Sequence, residues 1–173
     1  MLVTTQIPLA MPTPGQGGKI IRECPDPQNC IVCPLMDTTG KITSPKKNKV
    51  FFSRHKAYCC CHNVIYCIQC NTCNKQYVGQ TKREWRIRFK EHTTDLKKAI
   101  LTDKDQPVAK HLTRPDHTSK IDQVTCYILD FIKAPSHSDQ AQLERNKKER
   151  IWIFRLGTIR PHGLNTIEPK PFI

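Results

Sequence analysis

Length, composition and charge already narrow what this chain can be. It has 173 residues, of which 28 are lysine or arginine and 15 are aspartate or glutamate, so its formal net charge at pH 7 is +13. That length is enough for one compact domain with a small additional module. No stretch approaches the roughly 18–20 apolar residues that a membrane-spanning helix needs, so we expect no membrane partner. The basic excess favours an anionic partner, most simply nucleic acid, although a solvated basic surface would have the same composition.

Ten cysteines are many for a chain of this length. Residues 1–22 have neither the basic start nor the long apolar run of a secretion signal, and their prolines and glycines predict a flexible lead or linker. Without an export signal, clustered cysteines more often bind metal than form disulfides. A secreted, disulfide-linked protein remains an alternative, and it would lose its fold under a reductant but not with a chelator.

The segment 23–62 has little hydrophobic periodicity but carries two groups of cysteines. A segment with so few core residues usually needs a disulfide or a bound metal to be stable. We therefore expect a cysteine-rich module here that binds zinc or keeps reduced thiols. Cys30 and Cys33 have the spacing of a zinc knuckle, whereas the adjacent Cys59, Cys60 and Cys61 do not define a unique further ligand. We expect any N-terminal zinc site to consist of Cys24, Cys30 and Cys33 with one of Cys59, Cys60 or Cys61 as the fourth ligand, for which Cys60 is taken.

The remaining sequence alternates between strand and helix patterns. Residues 63–79 favour a β-hairpin because β-branched and aromatic residues flank a loop containing Asn71 and Asn74. If Cys70 pairs with Lys75, then Ile68 faces Tyr77 and Tyr66 shares their side of the sheet. A helix follows, and its predicted start is a capping box at Thr81-Lys82-Arg83-Glu84. A short helix over Pro107–Leu112 and a strand over Val124–Ile132 come next. The last predicted element is a helix over 139–156, which is capped by Ser138 or Asp139 and ends at Gly157.

These patterns predict an α+β fold. It contains a small, mainly antiparallel three-stranded sheet flanked by helices and preceded by the cysteine-rich N-terminal module. In the first long helix, Trp85, Phe89, His92 and Leu96 recur at helical spacing and are expected to face the sheet. The predicted organisation is a lead or linker over 1–22, the cysteine-rich module over 23–62, a principal domain over 63–167 and a tail over 168–173.

Polar residues on these elements have the chemistry that phosphodiester cleavage needs. Cleavage requires a base for the attacking water, a cation for the developing phosphate charge and neutralisation of the leaving oxygen. Tyr66 or Tyr77 is a candidate base, Arg88 a candidate phosphate ligand and Glu149 a ligand for a divalent ion such as Mg²⁺ or Mn²⁺. Each residue alone is more simply explained by structure: buried tyrosines are usually core residues, and charged helix residues are usually solvated or paired.

Taken together, these residues resemble the GIY-YIG nuclease family. The resemblance rests on Val64-Ile65-Tyr66, Tyr77-Val78-Gly79, Arg88, His92, Glu149 three residues before Trp152, and Asn165. It implies catalytic roles for Tyr66, Tyr77, Arg88, His92, Glu149 and Asn165, with Glu149 as the ligand of the catalytic metal. Arg86 is a rival for the arginine because the segment after Gly79 is one residue longer than in bacterial members, but Arg88 keeps the spacing to His92.

Within that family, the chain is most similar to the endonuclease domain of Penelope-like retroelements. The similarity lies in Cys70-x-x-Cys73 inside the hairpin, Gln76–Thr81, Pro107–His111 and Glu149-x-x-Trp152-Ile153. It implies DNA nicking and a reverse transcriptase domain or element RNA as a further partner. The basic runs Lys46–Lys49 and Arg145–Arg150 are compatible with a nuclear location, and such runs are also ordinary DNA-contact surfaces. A structural zinc site of Cys70, Cys73, His111 and His117 is suggested by the ligand types and is also implied by the resemblance.

DNA contacts are expected along the first long helix and the residues before it. The predicted contact residues are Lys82, Arg83, Arg86 and Lys90. An alternative of another class is a catalytically inactive, zinc-stabilised nucleic-acid-binding module. Such a module would have the same charge and the same cysteines, so only an activity measurement separates it from a nuclease.

Overall fold

The computed structural model describes residues 24–26, 28–53, 57–101, 106–135 and 137–166. The lead or linker expected over 1–22 and the tail over 168–173 lie outside these residues. The strands are β1 (Lys41–Ser44), β2 (Lys49–Phe52), β3 (Val64–Cys70), β4 (Gln76–Thr81) and β5 (Val124–Phe131). The helices are α1 (Trp85–Leu101), α2 (Pro107–Leu112) and α3 (Asp139–Leu156). The described helices are not long and apolar enough to cross a membrane.

The central sheet is antiparallel and three-stranded, in the order β4-β3-β5. Strand β3 is buried along almost its whole length, which suits its nearly continuous apolar sequence. The predicted register is confirmed, because Ile68 pairs with Tyr77 and the Cys70 N–H donates to the Lys75 carbonyl at 2.9 Å. Asn74 occupies the left-handed region (φ 60°) in the connecting turn, a conformation that asparagine tolerates well.

The N-terminus of α1 differs from the prediction. Thr81 is the last residue of β4 and pairs with Val64, so it is extended and does not start a helix. Its hydroxyl accepts from the Arg83 N–H at 3.1 Å, and the Glu84 carboxylate accepts from Arg86 Nε at 2.6 Å. The predicted capping box is therefore wrong, because the strand ladder holds Thr81 in place and the helix begins only at Trp85.

The predicted bounds of α3 are confirmed, and both ends have local causes. The Ser138 hydroxyl accepts from the Ala141 N–H at 3.1 Å, which satisfies a free donor of the first turn. Gly157 has φ 67°, and its N–H donates to the Ile153 carbonyl at 2.9 Å. A glycine adopts this left-handed conformation without the steric cost that other residues have.

Side chains alternate across the sheet and form two cores. The α1-side core lies beneath α1 and contains Val64, Tyr66 and Ile68, together with the predicted helix residues Trp85, Phe89 and Leu96. The α3-side core contains Ile65, Cys67, Val78, Trp152, Ile153 and Leu156. Because successive strand residues face opposite sides, β3 contributes to both cores and fixes the positions of α1 and α3 relative to the sheet.

A second hairpin, β1–β2, is present in the cysteine-rich segment and was not predicted. Asn48 has φ 47° in its turn, and Ile42 is buried in the α3-side core. The Ser44 hydroxyl donates to the Leu156 carbonyl at 2.7 Å, which ties the hairpin to the end of α3. Val32 from the same segment is buried in the α1-side core. The cysteine-rich segment therefore shares both cores with the rest of the fold.

Candidate active site and metal centres

Tyr66 lies in the middle of β3 and is completely buried on the α1 side. Its ring packs on Trp85, with 4.3 Å between ring centroids, and it crosses the backbone of β4 at Gly79. A Cβ atom added at Gly79 would lie 2.5 Å from the Tyr66 hydroxyl oxygen and 2.6 Å from the ring carbon that carries it. The glycine of Tyr77-Val78-Gly79 is therefore required sterically, because it leaves room for this phenol.

The Tyr66 hydroxyl joins two residues of α1. Arg88 Nε donates to it at 3.1 Å, and it lies 2.9 Å from His92 Nε2. Burial, and next the charge of Arg88, lower the pKa of His92 to about 3, so the imidazole is neutral at pH 7. A guanidinium can only donate hydrogen bonds, so the phenolic oxygen accepts from Arg88. The Tyr66 hydroxyl then donates its own proton to the lone pair of Nε2 on the neutral His92. The three side chains form one directed chain of hydrogen bonds.

Burial raises the pKa of both tyrosines of the site. For Tyr66 the nearby Tyr77 adds to this effect and Arg88 opposes it, while for Tyr77 the charge of Glu149 adds and Arg88 opposes. The rings of Tyr66 and Tyr77 are 6.4 Å apart between centroids. Because Glu149 also raises the pKa of Tyr66, its carboxylate acts on the same site. Tyr66, Tyr77, Arg88, His92 and Glu149 are thus brought together.

Of the two rival arginines, Arg88 is the one at the tyrosines. Its NH1 also donates to Glu91 at 2.8 Å, which fixes the guanidinium between Glu91 and Tyr66. Arg86 instead pairs with Glu84, and its backbone N–H donates to the Cys59 carbonyl at 2.8 Å. Arg86 therefore lies beside the N-terminal cysteines and not beside Tyr66.

Glu149 lies on α3, and its side chain is held by Gln80, which in turn binds Asn146. No role was predicted for Gln80 or Asn146. Gln80 on β4 donates from Nε2 to Glu149 Oε2 at 2.8 Å and to Asn146 Oδ1 at 2.7 Å. Burial raises the pKa of Glu149, while the Gln80 hydrogen bond and the charges of Arg150 and Arg88 lower it to a smaller extent. A partly buried carboxylate whose charge is only partly compensated fits a hard divalent cation, which would favour its ionised form.

A groove with a volume of about 290 Å³ opens beside Arg88. Its lining residues are Gln80, Thr81, Lys82, Arg83, Arg88, Gln142 and Arg145. Two predicted DNA-contact residues, Lys82 and Arg83, therefore line this groove, and Lys90 is exposed on α1, whereas Arg86 lies elsewhere. Arg145 was not predicted as an individual site residue; it is buried and held by the side chains of Asn63 and Gln142. The groove has four basic residues and no acidic residue in its lining.

Asn165 holds β4 from outside the sheet. Its Oδ1 accepts from the Val78 N–H at 3.0 Å and from the Thr158 hydroxyl at 2.7 Å, while its Nδ2 donates to the Val78 carbonyl at 2.9 Å. The Leu164 N–H donates to the Gln76 carbonyl at 2.9 Å. These bonds position the strand that carries Tyr77 and Gly79, so Asn165 orients the site through the backbone.

Four predicted ligands converge between the β3–β4 turn and α2. One donor atom each from Cys70, Cys73, His111 and His117 lies within 4.8 Å of the other three, so the group could hold a metal ion. His111 Nε2 is 3.2 Å from Cys73 Sγ, and burial lowers the pKa of His111 to about 4, which keeps the imidazole neutral at pH 7.

The second histidine of this group has the arrangement of a zinc ligand. His117 Nδ1 lies 2.9 Å from Asp116 Oδ1, whereas its buried Nε2 has no hydrogen-bond partner among the residues that the structure describes. A carboxylate that accepts the Nδ1 proton leaves the Nε2 lone pair available, which is the usual outer-shell arrangement for a metal-binding histidine. The predicted site of Cys70, Cys73, His111 and His117 therefore fits zinc.

The N-terminal cysteines also form a group that could hold a metal such as zinc, with one correction. The Sγ atoms of Cys24, Cys30, Cys33 and Cys59 lie within 4.8 Å of one another, so the fourth member is Cys59 and the prediction of Cys60 was wrong. Cys59 is buried in a turn in which the Cys61 N–H donates to the Tyr58 carbonyl, and Cys60 is partly exposed on that turn. The conformation of this turn places Cys59 and not Cys60 beside the other three cysteines. Three adjacent cysteines in the sequence do not reveal that conformation.

Two thiols of this N-terminal group, Cys33 and Cys59, resist ionisation. Burial, and next the hydrogen bond with Cys30, raise the pKa of Cys33 to about 12, and burial raises that of Cys59 further. The pKa of Cys30 is lowered, because hydrogen bonds involving Cys33 and Val32 together outweigh burial. Crowded thiols cannot all become thiolates unless a cation compensates their charge, so the chemistry of this group favours a metal.

A scan against protein-family models finds no match to this chain, and searches of curated proteins and of solved structures find no similar protein.

Proposed function

We propose that this chain is a metal-dependent DNA endonuclease of the GIY-YIG type, derived from a Penelope-like retroelement, which hydrolyses phosphodiester bonds by nicking. The observation that carries the proposal is the hydrogen-bonded group of Tyr66, His92 and Arg88, with Glu149 acting electrostatically on it and a basic groove beside it. A merely structural tyrosine needs one hydrogen-bond partner, and this phenol has a cation and a neutral base.

Tyr66 is the proposed base or water-positioning group. The Tyr66 hydroxyl donates to the Nε2 atom of a neutral His92, which orients the phenol. Because the pKa of His92 is lowered to about 3, His92 positions this hydroxyl and is too weak a base to take its proton. Arg88 favours the phenolate, because its charge and hydrogen bond oppose the effect of burial on the pKa of Tyr66. Tyr77 assists from the neighbouring strand. Arg88 also has a second, charge-stabilising role at the scissile phosphate.

Glu149 would hold the catalytic Mg²⁺ or Mn²⁺, with waters completing its coordination. When bound, the ion supplies positive charge and a water of lowered pKa at the phosphate. The protein contributes the orientation of the carboxylate, which the Gln80 side chain fixes at 2.8 Å. Gln80 in turn is fixed by Asn146, so the ligand is pre-positioned by α3 and β4 together.

DNA is the proposed substrate, held through its phosphates along the groove and the exposed face of α1. Lys82 and Arg83 line the groove, Lys90 lies on α1, and the net charge of +13 attracts a polyanion. Zn²⁺ at the two cysteine-containing groups would be structural. At Cys70, Cys73, His111 and His117 it would hold the β3–β4 turn against α2. At the N-terminal cysteines it would hold the residues around Cys24, Cys30 and Cys33 against the turn that carries Cys59. A reverse transcriptase domain or element RNA as a further partner and a nuclear location complete the proposal.

The test is nicking of supercoiled plasmid by zinc-loaded protein with added Mg²⁺ or Mn²⁺. Glu149→Ala and Arg88→Ala are expected to abolish nicking while remaining folded. Matched controls are Glu144→Ala, a carboxylate on the same helix, and Arg86→Ala, the rival arginine, and both should retain nicking. Metal-independent nicking, or equal loss in a control and its paired variant, would contradict the assignment.

A second candidate, the catalytically inactive nucleic-acid-binding module, is favoured by one observation. Burial holds the pKa of Tyr66 well above its usual range, which disfavours the phenolate that a base requires. Plasmid binding without nicking, in correctly metallated protein and with either ion, would make this second function the better description.

A further inference from the structure

A second groove, distinct from the one beside Arg88, lies between the β1–β2 hairpin and α3. Its volume is about 630 Å³, within the range of about 300–1,000 Å³ typical of ligand sites. Its lining residues are Lys49, Phe51, Phe52, Leu129, Asp130, Trp152 and Arg155. Leu129 and Trp152 belong to the α3-side core, so the groove opens on the opposite face of the sheet from Tyr66.

Two aromatic rings in this groove, those of Phe51 and Trp152, have a cation at either end. Lys49 Nζ lies 5.7 Å from the centroid of the Phe51 ring, and the Arg155 guanidinium lies 5.2 Å from that of Trp152. The Phe51 and Trp152 rings meet edge to face at 6.0 Å. Phe52 is 68% exposed at the groove. Phe52 pairs with Lys41 across the hairpin, so this exposed ring has a cation on the neighbouring strand.

The charge of the groove is net positive. Its single acidic lining residue, Asp130, already pairs with Lys148 at 2.9 Å and lies 3.5 Å from Trp152 Nε1. Neither Lys49 nor Arg155 has a carboxylate partner in the part of the chain that the structure describes. The groove therefore offers two cations to an anionic ligand.

We infer that this groove binds single-stranded nucleic acid, with a base stacked on Phe52 and phosphates at Lys49 and Arg155. Aromatic platforms interleaved with cations are how proteins hold single strands, because unpaired bases expose their faces and a duplex does not. Unlike an acidic peptide, a single strand supplies both the flat aromatic face and the regularly spaced negative charge. The site is separate from Tyr66 and Arg88, so it goes beyond the proposed nuclease function.

The test is fluorescence anisotropy with labelled oligothymidylate and oligouridylate of about 20 nucleotides, beside a duplex of equal length. No magnesium is added, so cleavage does not affect the readout. Phe52→Ala and Lys49→Glu are each expected to weaken single-strand binding about tenfold. Lys49→Glu should also reduce the slope of log affinity against log salt by about 0.7. Both single strands are expected to bind more tightly than the duplex, and tighter binding of the duplex would contradict the inference.

Matched controls share the chemistry of each change. Leu143→Ala removes an apolar side chain that is 70% exposed on α3, and Lys120→Glu makes the same charge change at an exposed residue before β5 that lines neither groove. Both should bind single strands as the wild type does, and thermal melting checks that every variant is folded. The inference would be overturned if Phe52→Ala and Lys49→Glu bound single strands as the wild type does, or if their controls lost binding equally. It would also be overturned if only Arg83→Glu, at the other groove, lost binding.

Discussion

The phenolic oxygen of Tyr66 lies 2.9 Å from Nε2 of His92, deep between β3 and α1. Both residues are buried, with 0% and 5% of their surfaces exposed. Burial makes this bond costly to leave unmade, since an unpaired polar group in the core is destabilising. The pair therefore belongs both to the core and to the candidate site, and variants must be judged by stability and activity together.

Replacing Tyr66 with phenylalanine separates these two roles. The ring and its packing on Trp85 remain, but the hydroxyl that links Arg88 to His92 is lost. We expect nicking to fall by about 10²–10⁴-fold, while the free energy of unfolding falls by about 1–3 kcal/mol. Plasmid nicking and urea denaturation measure the two effects. Tyr127→Phe on the other side of the sheet is the control, and an equal loss of nicking there would contradict a special role for Tyr66.

The approach of Tyr66 to Gly79 predicts a double-mutant cycle. Gly79→Ala places a Cβ atom 2.5 Å from the phenolic oxygen, so strand or ring must shift. We expect a loss of about 1–3 kcal/mol in the free energy of unfolding, as for other overpacked cores. In a Tyr66→Leu background the same change should cost clearly less, as urea denaturation would show. An identical cost in both backgrounds would mean that some other contact requires the glycine.

Metal stoichiometry tests the two cysteine-containing groups. Zinc measured by mass spectrometry is expected at two ions per chain in the wild type, one for each group. Cys73→Ser and Cys59→Ser should each retain one ion, because each removes a ligand of a different group. Cys60→Ser is the matched control for its neighbour and should retain both. If Cys59→Ser kept both ions and Cys60→Ser lost one, then Cys60 and not Cys59 would be the fourth ligand of the N-terminal group.

Acidification tests the buried histidine. The folded-state pKa of His92 is lowered from 6.5 to about 3. Between these values the unfolded chain binds a proton that the folded chain excludes, so stability falls as pH falls, by up to about 1.4 kcal/mol per pH unit. Urea denaturation across this pH range should show a shallower dependence in His92→Gln than in the wild type. His62→Gln, an exposed histidine, should keep the wild-type slope, and equal slopes for both variants would refute the argument.

Local signals were sufficient for several elements. Ser138 and Gly157 mark the ends of α3 because a side-chain cap and a left-handed glycine act within one turn. The hairpin register follows from the alternation around Ile68. Thr81 misled the prediction of α1, since the capping-box pattern is local whereas the pairing of Thr81 with Val64 is not.

Other features depend on contacts between distant segments. The β1–β2 hairpin has four-residue strands, and only its packing on α3 distinguishes it from a polar loop. No role was predicted for Gln80, which lies within the Gln76–Thr81 motif, or for the side chain of Arg145, yet β4 and α3 bring both to the groove beside Arg88. The spacing of Arg88 and His92 along one helix was predictable because both contacts to Tyr66 arise from one turn of α1.

Asn165 has a consequence for how copies of this protein meet. β4 is the outermost strand on its side of the sheet, and such an edge normally exposes N–H and C=O groups that can recruit a strand from another chain. The Asn165 amide occupies both groups of Val78, and the Leu164 N–H occupies the Gln76 carbonyl. The segment that orients the candidate site thereby also closes this edge, which opposes strand-to-strand aggregation at the tyrosines.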